Sequence, residues 1–334
     1  MKKLHLLAVA LLTIGLHAQN PNFAKGADVG WLDQMEATGY KFYDTDGTPK
    51  ECLQLLKDRG MNTIRLRVFV NPNDDKASGH CSKDDVVRMS KRAHDMGFRI
   101  MIDFHYSDSW ADPGKQFKPA AWKDHSVVQL GQDVYNHTFD VLSALKKAGV
   151  TPEWVQVGNE IPGGMLWPEG STKNWKNLAL FLNKGYEATK AIDPKIKVIV
   201  HVDQGNDNKK FRKFYDKATK HQVQYDVIGL SYYPFWIKKD WSETIDDLRH
   251  NMNDMVERYG KEVMVVEVGG EYNKIENTHQ LLAATIKAVR EVPDNKGLGV
   301  IYWEPQGEKS WSHYDLSAWQ ADGKPSPALD AFKE

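Results

Sequence analysis

The sequence predicts an α/β fold, a (β/α)8 TIM barrel built as a single domain. Short apolar runs rich in β-branched residues recur along the chain, and each is followed by a segment with helical periodicity. No Ser/Gly-rich or Pro-rich spacer, low-complexity tract or charge block interrupts this series. Because eight such units close into a barrel more readily than they form an open sheet, we expect one domain over residues 20–334.

The predicted elements alternate strictly along the chain. The strands are Phe23–Gly30, Thr63–Phe69, Arg99–Tyr106, Glu153–Glu160, Lys197–Val202, Val227–Tyr233, Val263–Gly269 and Leu298–Glu304. The helix candidates are Pro49–Arg59, Lys83–Met96, Val127–Ala148, Trp175–Ile192, Lys209–Thr219, Ile245–Tyr259 and His279–Arg290. Several of these helices are followed by glycine, the residue that most easily adopts the left-handed conformation ending a helix.

The amino-terminal segment predicts export. Lys2 and Lys3 precede an apolar run from Leu6 to Leu16, and Ala18 stands near a plausible cleavage point, the pattern of a signal peptide over residues 1–19. The run is too short to span a bilayer, and no later stretch approaches about 18 apolar residues. We therefore expect a protein of the periplasm or the cell exterior, with no membrane partner.

Composition argues against a charged partner. The 44 basic and 45 acidic side chains give a formal net charge of −1, so no overall field recruits nucleic acid or an anionic membrane. The 11 Trp, 13 Tyr and 12 Phe supply flat faces that suit the C–H faces of sugars. An uncharged carbohydrate bound by a monomer is the expected complex.

Cys52 and Cys81 are the only cysteines. Export permits a disulfide, but their spacing alone does not show whether they approach bonding distance, and the pairing stays open at this point. The sequence has no CxxC motif and no Cys/His cluster typical of a metal site.

Polar and aromatic residues collect where the predicted strands end. Loops at the carboxyl ends of barrel strands build the active site, so connections 107–125, 161–174 and 305–327 should wall a cleft. The candidates at strand ends are Arg65, Arg67, Asp103, His105, Asn159, Glu160, His201, Tyr233, Glu267 and Trp303. Asp108 and Trp110, in the third connection, suit either substrate binding or loop bracing.

Two of the candidates form a carboxyl pair. Glu160 and Glu267 end the fourth and seventh strands, which face each other across a barrel about one side chain wide. Glycoside cleavage requires two such groups, one protonated and one ionised.

Neighbouring residues fit supporting roles in the same chemistry. Asn159 is placed to hydrogen-bond a sugar 2-OH, and Trp303 to form the floor of the sugar site. Arg65 or Arg67, together with Tyr233, is placed to hold the seventh-strand carboxyl ionised, since a nearby cation and a hydrogen bond to the charged form both lower a carboxyl pKa.

Several long motifs resemble those of glycoside hydrolase family 53, the endo-β-1,4-galactanases of clan A. They include DFHYSDSWADPGKQFKPAAW and VQVGNEIPGGMLWPEG, and the resemblance covers essentially all of the chain after residue 19. It implies a (β/α)8 barrel, retention of anomeric configuration and internal cleavage of the β-1,4-galactan side chains of pectin. It also implies that Glu160 is the acid/base and Glu267 the nucleophile, with their carboxyl groups about 5 to 5.5 Å apart.

One departure from the family concerns calcium. Bacterial members often bind the ion through an extended loop after the seventh strand, whereas Gly269–Thr278 is short and has no alternating Asp ligands. Although Glu271 and Asn273 stand in this loop, a solvated loop is the simpler interpretation. We therefore expect no metal and no other cofactor.

Three other functions remain compatible with parts of the sequence. The catalytic pair alone does not separate a galactanase from a clan A mannanase or glucanase. A galactan-binding protein without activity would keep the cleft but would not need both glutamates. A phosphate-handling barrel is disfavoured because Trp303 and Pro305 stand where a glycine-rich phosphate loop would follow the last strand.

Overall fold

The computed structural model describes residues 20–73 and 79–334, so the predicted signal peptide lies outside the described residues. Eight parallel strands form a closed barrel in the order β1 to β8, which confirms the predicted fold. The strands are β1 Ala24–Asp28, β2 Thr63–Val68, β3 Arg99–Phe104, β4 Trp154–Val157, β5 Lys197–Val202, β6 Val227–Tyr232, β7 Glu262–Val268 and β8 Gly297–Trp303.

All eight predicted strands are present, but most are shorter than predicted. The largest difference is in β4, which ends at Val157 because the backbone leaves the sheet at Gly158, with φ of 83°. Tyr106, Glu160 and Glu304 also have positive φ although they carry side chains, with values of 50°, 44° and 50°. The barrel rim therefore holds sparsely populated backbone conformations at three strand ends.

The helices surround the barrel. They are α1 Leu32–Ala37, α2 Cys52–Asp58, α3 Lys83–Asp95, α4 Val127–Lys147, α5 Trp175–Ile192, α6 Asn208–Lys220, α7 Ile245–Tyr259, α8 Ile275–Arg290 and α9 Lys309–Ser312. The six-residue α1 was not predicted, and α8 begins four residues earlier than predicted. No long helix follows β8; a 3-10 segment over Pro327–Lys333 packs against α8 instead.

Serine caps fix the starts of two of these helices. Ser82 before α3 and Ser126 before α4 each form a reciprocal capping box with the residue three positions later, Asp85 or Gln129. Both pairs satisfy amide groups that the first helical turn leaves without partners. Local sequence thus defines where these two helices begin.

The barrel interior is apolar at one end and polar at the other. A cluster that includes Met101, Trp154 and Met264 fills the end where the strands begin. Towards the strand carboxyl ends, the buried side chains are polar, as at Arg65 and Asp103. A larger apolar cluster between strands and helices holds the two layers together. The site therefore rests on a packed base.

Cys52 and Cys81 are both buried free thiols, so the disulfide that export would permit is not formed. Burial raises the pKa of Cys81 to about 12. Among the described helices, none is long and apolar enough to cross a membrane.

Candidate active site

A cleft of about 860 Å³ opens at the carboxyl ends of the strands. Its lining comes from the carboxyl ends of seven of the eight strands or from the connections that follow them, β2 being the exception. Seven of the predicted site residues line it: His105, Trp110, Asn159, Glu160, Tyr233, Glu267 and Trp303. The two glutamates thus line one cavity, whose volume is typical of ligand-binding sites.

Glu160 lies at the end of a hydrogen-bond chain. Ser231 Oγ donates to Glu160 Oε1 at 2.6 Å, and His201 Nε2 lies 2.7 Å from Ser231 Oγ. The backbone N–H of Glu160 donates to His201 Nδ1 at 3.2 Å, so Nδ1 is an acceptor and the ring proton lies on Nε2. Burial holds the pKa of His201 well below its usual value, so the imidazole ring stays neutral.

The surroundings of Glu160 favour its protonated form. Burial raises its pKa well above the usual value, and the negative charge of Glu267 raises it further. The hydrogen bond from Ser231 opposes both effects, because it stabilises the carboxylate. A carboxyl group kept protonated near neutral pH is what a general acid requires.

Glu267 is bound on both carboxylate oxygens. Arg65 Nη2 lies 3.0 Å from Oε1, and the Tyr233 hydroxyl donates to Oε2 at 3.2 Å. Burial raises the pKa of Glu267 to about 7, while the Arg65 guanidinium and Tyr233 lower it. Arg65 contacts Glu267, and among the described residues no cation contacts Glu160. A single proton shared by the two glutamates is therefore more stable on Glu160.

Arg65 organises the buried carboxylates beneath the cleft. Its guanidinium lies 2.8 Å from Asp28, 2.9 Å from Asp103, and 3.1 Å from both the Gln156 and Asn159 side-chain oxygens. The arginine is fully buried and acts through these partners and Glu267. Of the two arginines that the sequence offered for Glu267, the structure therefore selects Arg65.

Arg67 instead joins the aromatic floor. It forms ion pairs with Asp28, at 3.2 Å, and with Glu304. Its guanidinium carbon lies 4.2 Å from the centre of the Trp110 ring, a cation–π distance. Trp303 contacts Trp110 edge to face at 5.7 Å. Charge and aromatic packing together fix the ring planes that face the cleft.

Comparison with known proteins identifies the family. The sequence profile described as glycosyl hydrolase family 53 matches residues 24–332. The chain belongs to glycosyl hydrolase family 53. An uncharacterized protein of Niallia circulans, described as lying in the bgaB 5' region, is 38% identical over 87% of this chain and 86% of its own. An arabinogalactan endo-beta-1,4-galactanase of Humicola insolens is 33% identical, and the match covers 86% of this chain and 90% of that protein.

Structural similarity agrees with the profile. The GH53 catalytic domain of Ignisphaera aggregans matches this family 53 chain with a TM-score of 0.87 at 30% identity, covering 95% of this chain and 98% of that domain. Family membership confirms the resemblance drawn from the motifs and makes the protein a glycosidase.

Five predicted site residues of this family 53 enzyme lie outside the cleft lining: Arg65, Arg67, Asp103, Asp108 and His201. Four are buried behind the lining residues, where Asp103, for example, pairs with His105 Nε2 at 3.0 Å. Asp108 braces its own loop, accepting from the backbone N–H groups of Asn71 at 3.0 Å and Ala120 at 2.8 Å. Direct contact with a ligand stays a prediction for all five.

Several lining residues were missed. Ser231 lies at the end of β6, and Asp203 directly follows β5, so the same strand-end reasoning would have found them. Trp31 follows β1, while Trp311 and Tyr314 belong to the eighth connection that was expected to wall the cleft. Trp31 contacts Trp303 at 5.1 Å, which makes it part of the same floor.

Among the described residues, one group has metal-ligating atoms close together: Asp33, His80 and Asp85, outside the cleft. Arg88 Nη2 lies 2.5 Å from Asp33 and 2.8 Å from Asp85, so a guanidinium already balances both carboxylates. In the seventh connection, Glu271 pairs with Lys274 at 2.6 Å.

Proposed function

We propose that this family 53 enzyme is an exported endo-β-1,4-galactanase acting on pectic galactan or arabinogalactan side chains with retention of configuration. Glu160 is the acid/base and Glu267 the nucleophile. The observation that carries the proposal is that the two glutamates have different partners. Glu267 contacts the buried guanidinium of Arg65 and the hydroxyl of Tyr233. Glu160 accepts one hydrogen bond, from the Ser231 hydroxyl. The galactanase of Humicola insolens supports the substrate class.

In the first step, Glu267 attacks the anomeric carbon and the bond to the leaving oxygen breaks. The proton of Glu160 passes to that oxygen as the bond breaks, and the sugar becomes an ester of Glu267. Esterification removes the negative charge that raised the pKa of Glu160. Glu160 then ionises more readily, and in the second step it takes a proton from the water that releases the sugar.

The neighbouring groups orient the two glutamates and stabilise their ionised forms. His201 and Ser231 orient the Glu160 carboxyl, and Ser231 stabilises its ionised form in the second step. Arg65 keeps Glu267 charged until it attacks. Aromatic residues from two separate strand ends, Trp236 after β6 and Trp303 at the end of β8, both line the cleft, which suits a polymer longer than one sugar.

Digestion of linear β-1,4-galactan, mannan and β-glucan side by side tests the substrate. We expect galactan alone to lose viscosity before much reducing sugar appears. Release of galactose only from chain ends would contradict internal cleavage, and preference for mannan or glucan would favour another clan A activity. Binding of galactan without any hydrolysis would instead indicate a carbohydrate-binding protein.

NMR of the first-formed product tests the mechanism. Retention requires the β-anomer to appear first and the α-anomer to grow in by mutarotation. An initial α-anomer would show inversion and would overturn the roles assigned to both glutamates.

A further inference from the structure

A second groove, of about 720 Å³, lies where the start of α5 meets one face of α6. We call it the lysine groove. Its lining includes Lys173, Lys176, Lys210, Lys213 and Lys217, and no aspartate or glutamate belongs to the part of the lining that the structure describes. In a chain with a formal net charge of −1, this is a strong local concentration of positive charge.

Four of the five groove lysines have no acidic partner among the described residues, Lys210 being the exception. Lys210, Lys213 and Lys217 are spaced three and four residues apart, so they share one face of α6 despite their mutual repulsion. Throughout residues 20–73 and 79–334, the exposed side chains of Lys173, Lys176, Lys213 and Lys217 form no ion pair. These four cations remain available to an anion.

An aromatic surface accompanies the charge. Trp175 packs edge to face against Phe214 at 5.1 Å and stacks on His221 at 5.9 Å with an interplanar angle of 19°. Trp175 and His221 are half-buried and line the groove. A fixed ring beside unpaired ammonium groups suits a sugar that carries a carboxylate better than a small inorganic anion.

The groove adjoins the catalytic cleft. Lys210 Nζ lies 2.9 Å from Asp203 Oδ2, and Asp203 lines the cleft beside Glu160. Pro162, from the connection that carries Glu160, also lines the groove. A ligand in the groove would therefore lie on the side of the acid/base.

We propose that the lysine groove binds uronate carboxylates of an acidic polysaccharide, as the backbone of pectin carries, and holds that backbone beside the catalytic cleft. The choice of ligand rests on the proposed action on pectic galactan. Substrate chains attached to an acidic backbone would thereby be concentrated at the enzyme.

Binding of polygalacturonate to the full chain tests the proposal, by calorimetry at low salt. Lys213→Gln/Lys217→Gln removes two exposed groove charges, and Lys209→Gln/Lys220→Gln removes two exposed charges from the same helix outside the groove lining. An exposed ion pair contributes up to about fivefold in affinity, so we expect the groove variant to bind about tenfold more weakly. The matched control should lose less than about twofold. Thermal unfolding of both variants checks that the fold is retained.

Three outcomes would overturn the proposal: no binding of polygalacturonate by the wild type, equal loss in the two variants, or equally tight binding of DNA or anionic lipid vesicles. Fully methyl-esterified polygalacturonate should bind much more weakly, since it lacks the carboxylates. Polygalacturonate contains no galactan, and linear galactan contains no uronate. If polygalacturonate does not bind, the hydrolysis test of the proposed function is therefore unaffected. If galactan is not hydrolysed, the binding test of the groove is likewise unaffected.

Discussion

Removal of the Tyr233 hydroxyl should move the acid limb of the pH–activity profile. Burial raises the pKa of Glu267 to about 7, and the Tyr233 hydroxyl opposes this effect by donating to Oε2 at 3.2 Å. Tyr233→Phe keeps the ring and removes the hydroxyl that donates to Glu267, which also forms a hydrogen bond with Tyr314. The pKa of Glu267 should rise, so the nucleophile becomes protonated at a higher pH and activity is lost earlier on acidification.

The geometry sets the size of the effect. A hydrogen bond to a charged group contributes about 1.5 to 3 kcal/mol. At 3.2 Å, the hydrogen bond from Tyr233 is longer than is usual for a bond to a carboxylate, so we take its contribution as about 1.5 kcal/mol. Because about 1.4 kcal/mol corresponds to one pH unit, the acid limb should move up by about one pH unit.

The assay is kcat/KM on linear galactan between pH 4 and 10, which reports on groups of the free enzyme. Ser231→Ala is the matched variant, since its hydroxyl donates to Glu160 rather than Glu267. Loss of that bond raises the pKa of Glu160, so the alkaline limb should move up while the acid limb stays. If Tyr233→Phe moved the alkaline limb instead, the roles of the two glutamates would be reversed.

Three further predictions follow from the site and the core. Glu267→Ala should be nearly inert, with azide forming an α-galactosyl azide, whereas Glu160→Ala should keep glycosylation of aryl galactosides with good leaving groups and give a β-azide; NMR of the products distinguishes them. Activity and melting temperature should be indifferent to EDTA, because Glu271 pairs with Lys274; a loss restored by calcium would reveal a missed ion site. Trp154→Ala should cost about 3 to 5 kcal/mol of unfolding free energy in denaturant titration, since the ring fills the barrel base; a cost below about 1 kcal/mol would contradict that packing.

Buried parallel strands and amphipathic helices leave clear patterns in a sequence, and for this reason all eight strands could be predicted. The end of β4 could not, because the backbone already leaves the sheet at Gly158, with φ of 83°, two residues before Glu160. The choice between Arg65 and Arg67 was also open. Residues two apart on a strand face the same side, and only the stagger of the barrel decides which one reaches Glu267.

The aromatic floor shows a different limit of sequence reasoning. Trp31 comes from the first connection, whereas Trp303 ends β8 and Trp311 comes from the eighth connection, far away in sequence. Strand periodicity places a residue at the barrel rim but does not give the path of a loop beyond it. Ser231 was missed although strand-end reasoning reaches it; a small hydroxyl gives a weak signal beside the tyrosines that follow it.

The left-handed backbone of Glu160 means that a residue proposed for catalysis lowers the stability of the fold. A residue with a Cβ at φ of 44° costs the fold roughly 1 to 3 kcal/mol, and glycine would relieve much of that cost. Selection for heat resistance alone would therefore favour glycine at this position and yield a sturdier but inactive protein. Engineering of this barrel for higher temperature has to screen turnover together with survival, and improvements are better sought in the helical layer than at the rim.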